Sequence, residues 1–131
     1  MLETLREPDA PQSHQDLVVG CILLTLAEQR GHGYELHERI KQVMPLGDVS
    51  PGNLYRELRR MDADGLVASV WEASRTRGPA RRVYEITNAG RRALDDWIMG
   101  VGGLVEMLEA CIAMHASLPT PKPARLRERR A

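Results

Sequence analysis

Asparagine and arginine side chains recur three and four residues apart between positions 51 and 64, which places them on one side of a helix. The side chains of this face and its flank are Asn53, Arg56, Arg60, Tyr55 and Arg59. An asparagine amide can bridge adenine and an arginine guanidinium can bridge guanine, and either can bind a backbone phosphate instead. This segment therefore predicts a helix that presents a nucleic-acid-binding face, although a solvated arginine face is an equal alternative for one helix alone.

A second basic cluster surrounds the Gly78-Pro79 turn. Its members are Arg75, Arg77, Arg81 and Arg82. Arginines on such a turn can lie against the DNA backbone or in a narrow minor groove, where the negative potential is strong. Two basic elements in succession favour nucleic-acid binding more than either element does alone.

Charge is segregated along the chain although the net charge is zero. Residues 50–92 and 122–131 each carry an excess of four positive charges, and residues 1–49 and 93–121 each carry an excess of four negative charges. This asymmetry is typical of a nucleic-acid face on an acidic body.

Two amphipathic helices precede the basic helix. His14 to Gln29 is predicted as a first helix that Gly31 terminates, with an apolar face at Leu17, Cys21 and Leu24 and with Val18 and Ile22 alongside. His32 to Met44 is predicted as a second helix, with its apolar stripe at Leu36, Ile40 and Val43.

The third helix has the clearest boundaries. Ser50 can cap it, Pro51 suits the first helical position, and Gly65 is the expected stop. Its buried stripe is Leu54, Leu58 and Met61. Alternating residues from Leu66 to Trp71 and from Arg81 to Ile86 then predict a β-hairpin.

The last helix is predicted to begin after Thr87 and to carry a heptad-like seam. The seam and its flank include Leu94, Trp97, Val101, Leu104, Leu108, Cys111, Ile112 and His115. Gly100, Gly102 and Gly103 weaken the helix, but the register of the seam continues across them, so one helix is predicted. We expect the seam to form a homodimer.

These elements predict a mainly α fold with a small β-hairpin, a winged helix-turn-helix followed by a C-terminal dimerisation helix. The predicted divisions are a flexible arm over 1–13, the DNA-binding domain over 14–87, the dimerisation helix over 88–118 and a disordered basic tail over 119–131.

The motifs resemble the PadR family of bacterial transcriptional regulators. The matching segments are residues 32–36, 49–61, 64–67, 78–87 and 89–90. The resemblance implies a winged-helix homodimer that usually represses transcription, with the third helix in the major groove. It places Ser50, Asn53, Tyr55 and Arg56 where the family's recognition helix meets DNA, and Arg81 and Arg82 at the basic wing.

The resemblance also implies roles for two further residues. Tyr34 lies in the motif of the second helix, where this position more often packs than binds. Trp97 matches the position at which some family members stack a flat aromatic ligand at the dimer interface, and packing of Trp97 against the partner helix is the favoured alternative.

Other classes of function fit less well. The sequence has no phosphate-binding glycine loop, nucleophile elbow or metal-binding helix motif, so we expect neither an enzyme nor a bound cofactor. Cys111 and His115 could supply metal ligands across a dimer, which leaves a metal-responsive regulator as an alternative. A winged helix that binds a protein is the other alternative.

The expected location is the cytoplasm, with no membrane partner. Residues 1–13 lack the apolar core of a signal peptide, and the apolar stretch at 17–27 is shorter than the roughly 20 residues of a membrane span.

Overall fold

The structure is a computed structural model. It describes Pro11 and residues 13–43, 49–73 and 78–121. The predictions for the first ten residues, for Arg75 and Arg77, and for the tail beyond residue 121 lie outside these residues.

Four helices and a small sheet make up the described part of the chain. In order they are α1 (His14–Glu28), β1 (Gly31–His32), α2 (Gly33–Val43), α3 (Pro51–Ala63), β2 (Val67–Glu72), β3 (Arg81–Ile86) and α4 (Asn88–Ser117). The sheet is antiparallel with the order β1-β3-β2. This arrangement confirms the predicted mainly α winged helix-turn-helix.

Strand β1 was not predicted from the sequence. Gly31 pairs with Tyr84 and His32 pairs with Val83, so the wing has a third, two-residue strand. Two residues are too few to show an alternating pattern, and the pairing partner is about fifty positions away. The predicted first helix, His14 to Gln29, agrees with α1 to within one residue, because α1 ends at Glu28 with extended Gln29 as its C-cap. Gly31, which was expected to end that helix, lies in β1.

The buried face of α1 agrees only in part with the prediction. Ile22, predicted beside the apolar face, is buried, and so are Leu23 and Leu26, whereas Leu24 is 38% exposed. Apolar residues surround this helix on nearly every side, so the spacing of leucines could not identify which side faces the core. Cys21 is buried, and burial raises the pKa of its thiol.

The core joins the first three helices to the sheet and to the start of α4. Leu36, Ile40, Leu54, Leu58 and Met61 are buried there, which confirms the predicted stripes of α2 and α3. The Val43 side chain lies outside the described parts of the structure.

Caps fix the ends of α3 and the start of α4. Ser50 Oγ accepts a hydrogen bond from the backbone N–H of Asn53 at 3.2 Å, and Gly65 has a φ of +79°, which disfavours other residues. Thr87 Oγ1 accepts from the N–H of Gly90 at 3.0 Å and lies 2.6 Å from the carbonyl oxygen of Gly65, to which it donates. The hairpin is thereby held between the two helices.

The last helix is continuous through Gly100, Gly102 and Gly103 and spans 30 residues. Leu94 packs into the core of its own chain, whereas the side chains of the second half are largely exposed. The large exposed apolar residues of α4 are Ile98, Met99, Val105, Met107, Leu108, Ile112 and Met114.

Among the described residues, α4 is long and apolar enough to cross a membrane by length and composition alone. A window of 18 of its residues has a mean hydropathy of 1.5. This apolar stretch is longer than the one at 17–27 and was not predicted from the sequence. A helix that packs against another protein chain meets the same criteria.

Candidate nucleic-acid interface

The outward face of α3 is polar and basic. Asn53, Arg56 and Arg60 are exposed, opposite the buried stripe of the same helix. Arg56 Nη1 donates to Asn53 Oδ1 at 3.4 Å, so two of the side chains that could read bases lie side by side. The predicted exposure of this face is confirmed.

Glu57 lies on the same helix but points inward, and its burial was not predicted from the sequence. The residue is 8% exposed, and its Oε1 accepts a hydrogen bond from Gln15 Nε2 at 3.0 Å and lies 3.5 Å from Arg60 Nη1. Its Oε2 has no hydrogen-bond partner among the described residues. The available signal was its register, because position 57 is three residues after Leu54 on the buried side.

Arg82 is held by its neighbours at the base of the wing. Its Nε donates to Ser69 Oγ at 2.9 Å, and its Nη2 lies 3.4 Å from Asp62 Oδ2. The guanidinium carbon also lies 5.8 Å from the ring centroids of Trp71 and of Tyr84. Arg82 therefore braces the wing against α3, a role that the sequence did not indicate.

Arg81 is exposed on the same strand. Its Nη1 lies 3.3 Å from Nε2 of His32, the histidine of β1. No hydrogen bond or ion pair joins Arg59 of α3 to any residue in the described ranges. Arg59 and Arg81 thus keep most of their donors available.

A cavity of about 470 Å³ separates the start of α2, the flank of α3 and strand β3. It is lined by His32, Gly33, Tyr34, Tyr55, Arg59, Arg81, Arg82 and Tyr84. The Tyr55 ring lies against Gly33 so closely that a Cβ at position 33 would overlap it. Burial raises the pKa of the Tyr84 phenol, and the nearby Arg82 charge partly opposes that shift.

Tyr34 is more exposed than the resemblance implied. Its position was expected to favour packing, but the residue is 65% exposed and forms part of the cavity wall. Tyr34 is the second residue of α2 and its ring extends beyond the core. The periodic stripe of α2 begins at Leu36, so the burial of Tyr34 could not be judged from spacing.

Trp97 packs within its own chain. Its indole covers Gly20 of α1, where any side chain would overlap the ring. The ring nitrogen Nε1 is buried and has no hydrogen-bond partner among the described residues. The structure therefore shows an intrachain contact in addition to the seam position that the sequence indicated.

The seam of α4 divides into two parts. Leu94 is 9% exposed, so it has little surface left for another chain, and this differs from its predicted place in the dimer interface. Val101 and Leu104 are half-buried, whereas Leu108, Cys111 and Ile112 are exposed. Within the described ranges no three histidine, cysteine or acidic residues form a group that could hold a metal ion. Cys111 and His115 lie four residues apart on α4.

The fold and this basic face define a winged helix-turn-helix protein. A protein-family model described as the transcriptional regulator PadR-like family matches residues 22–96, more than half of the chain. The chain belongs to this family of transcriptional regulators, and this membership separates it from the enzymes.

One similar protein is itself a transcriptional regulator. The transcriptional regulator Rv3488 of Mycobacterium tuberculosis is 54% identical over 48 residues, which is 37% of this chain and 43% of that protein. The matched segment therefore spans less than half of that relative.

Solved structures agree with the fold. A PadR-like transcriptional regulator from Bacillus cereus has a TM-score of 0.65 at 28% identity, over 73% of this chain and 91% of that chain. Bacillus subtilis PadR, solved in complex with operator DNA, has a TM-score of 0.58 at 17% identity, over 83% of this chain and 51% of that chain. This second similarity concerns the fold alone.

Proposed function

We propose that this PadR-like regulator binds operator DNA as a homodimer in the cytoplasm and represses transcription until a small effector binds. The exposed Asn53–Arg56–Arg60 face of α3 carries the proposal. A helix of this kind enters the major groove in helix-turn-helix proteins, where amides and guanidiniums bind base edges.

Exposure and hydrogen bonding support part of the proposed set of DNA-contacting residues. Ser50 Oγ accepts the capping hydrogen bond, and its own proton remains available to a phosphate oxygen. Arg59 and Arg81 offer exposed guanidiniums on either side of the cavity, whereas Arg82 supports the wing. The DNA-binding set proposed from the sequence is Ser50, Asn53, Tyr55, Arg56, Arg59, Arg60, Arg75, Arg77, Arg81 and Arg82.

A second copy of the chain is the partner that we propose for α4. The exposed seam beyond Leu94 consists of large apolar side chains, and water contact with so many of them is unfavourable. A dimer would present two α3 helices to successive major grooves about one helical turn apart.

Trp97 is the residue that we propose for effector binding. Its buried Nε1 has no acceptor among the described residues, and a planar aromatic ligand with a hydrogen-bond acceptor would satisfy it. Because Trp97 joins α4 to α1, a ligand there would alter the angle between the two winged domains and weaken binding to paired half-sites.

DNA binding is tested with a duplex from the gene's own upstream region against a scrambled duplex of equal length. Arg56→Ala is expected to reduce affinity for the specific duplex by about tenfold to a hundredfold, the loss of about 1–3 kcal/mol typical of a base contact. Arg91→Ala, which removes an exposed arginine from α4, is the matched control.

The dependence of affinity on salt concentration distinguishes DNA binding from binding to a protein partner. Affinity for the specific duplex is expected to fall steeply with salt, because each phosphate contact contributes about 0.9 to the logarithmic slope. Equal and weak binding of both duplexes, with a flat salt response, would contradict the proposal.

A further inference from the structure

The cavity between α2, α3 and β3 has the dimensions of a ligand site. Its volume of about 470 Å³ lies within the roughly 300–1,000 Å³ of small-molecule pockets. Buried Tyr84 and Gly33 form part of its lining, and exposed Tyr34, Arg59 and Arg81 also line it. The cavity is thus rigid on one side and has adaptable polar groups on the other.

The charge of the lining favours an anion. Three arginines and no carboxylate are among the lining residues. Acidic groups contact the lining from outside it: Glu35 Oε2 lies 3.4 Å from Nε2 of His32, and Asp62 Oδ2 lies 3.4 Å from Nη2 of Arg82. Arg82 is bound to Asp62 and Ser69, which leaves Arg59 and Arg81 as the guanidiniums that can bind a phosphate.

The aromatic part of the lining favours a planar or sugar-like group beside the anion. Tyr34 is largely exposed, and no hydrogen bond or ion pair joins it to any residue in the described ranges. Tyr55 is held in place by its contact with Gly33. Aromatic rings that flank a basic groove stack on nucleic-acid bases and pack against sugars.

We propose that this cavity binds one nucleotide unit, with its phosphate between Arg59 and Arg81 and its sugar or base against Tyr34 and Tyr55. Where the nucleotide belongs to a DNA strand, this inference rests on the proposed function. A free mononucleotide presents the same chemistry, and it would compete with DNA for the cavity.

The test compares two variants with one control. Tyr34→Ala removes an exposed ring without changing charge, Arg81→Gln removes an exposed guanidinium, and Arg92→Gln removes an exposed arginine from α4. Thermal unfolding of each variant first establishes that it is folded. One arm measures fluorescence anisotropy of the labelled upstream duplex, and the other measures calorimetric binding of the four ribonucleoside monophosphates with inorganic phosphate as comparator.

We expect Tyr34→Ala and Arg81→Gln each to weaken binding about tenfold in at least one arm, with Arg92→Gln within about twofold of the wild type. A loss in the duplex arm alone identifies a nucleotide of a DNA strand. Saturable binding of a mononucleotide with a Kd below about 1 mM, if both variants lose it, identifies a free nucleotide as the ligand of the cavity.

The inference and the proposed function can fail separately. If the duplex binds the wild type and both variants equally and no mononucleotide binds, the inference is wrong and the regulator proposal stands. If the wild type does not bind the duplex, the nucleotide arm decides: binding that both variants lose supports the cavity, and absence of binding overturns the inference.

Discussion

Arg81 and Arg82 are neighbours in the chain but have different surroundings. Arg82 is bound to Ser69 and Asp62, and its guanidinium carbon lies 5.8 Å from the centroids of two aromatic rings. Among the described residues, the Arg81 guanidinium has a hydrogen bond to His32 alone. Sequence patterns identified both arginines as basic wing residues. They could not separate a brace from a free guanidinium, because the difference depends on which partners the sheet register brings together.

Gly33 is a position where a single methyl group should destabilise the fold. Gly33→Ala places its Cβ within the Tyr55 ring, so we expect a loss of about 1–3 kcal/mol in the free energy of unfolding measured with urea. Gly52→Ala is the control, because no atom beyond its own helix and neighbours lies within 4 Å of its Cβ, and it should be at least as stable as the wild type. Equal stability of both variants would contradict the packing of Tyr55 on α2.

Among the helices, α4 changes from buried to exposed along its length. The first turns pack on the core and on α1, and the second half is largely exposed. Sequence periodicity predicted the start of α4, its continuity and its seam, because these depend on local spacing. It could not predict that Leu94 belongs to the chain's own core, because that depends on where the sheet and α1 lie.

A charge in the exposed half of α4 should separate the proposed dimer. Ile112→Glu places a carboxylate at a side chain that is 71% exposed in one chain, and we expect a monomer by light scattering coupled to size exclusion. Ala113→Glu adds the same charge away from the seam and should leave the dimer intact. A monomeric wild type that binds lipid vesicles would instead favour a membrane partner for α4.

The glycines of α4 offer a second test. No atom outside the helix lies within 4 Å of a Cβ built at Gly102 or Gly103, so alanine at either position should stabilise the protein by up to about 1 kcal/mol. Gly20→Ala, which overlaps the Trp97 ring, should destabilise it in the same thermal unfolding measurement. Lower stability of Gly102→Ala would mean that another chain approaches α4 closely at this point.

For the whole molecule, burial of ionisable groups predicts how stability depends on pH. The pKa values of Cys21 and Tyr84 are raised from ordinary values of 9.0 and 10.0 because burial disfavours their charged forms. As pH rises through about 9 for Cys21 and about 10 for Tyr84, the unfolded chain loses each proton while the folded chain still holds it. The free energy of unfolding should therefore be constant near neutrality and fall as pH rises through these values.

Urea unfolding at several pH values between 7.5 and 10.5 tests this dependence. Cys21→Ala and Tyr84→Phe should each reduce the alkaline slope, because each removes one buried proton that the unfolded chain would release. An unchanged slope in both variants would mean that other groups determine the alkaline limit. This outcome would leave the described fold unaffected.

The order of the four helices and of the hairpin strands β2 and β3, the caps of α3, the N-cap of α4 and the basic face of α3 could be predicted, since each depends on nearby residues. The two-residue strand β1 could not. The cavity could not, because His32, Tyr55 and Arg81 are far apart in sequence and meet only through the two-residue strand β1 and the packing of α2 on α3. The exposure of Tyr34 depends on that same packing.

The positions of the two tryptophans give the protein a separate optical probe at each proposed site. Trp71 is 70% exposed and lies beside Arg82 on the wing, whereas Trp97 is packed on Gly20 at the junction of α1 and α4. A solvent-facing indole emits at longer wavelengths than a packed one. DNA bound at the wing would therefore change the long-wavelength side of the tryptophan emission spectrum. An effector bound at Trp97 would change the short-wavelength side, and neither measurement needs a label.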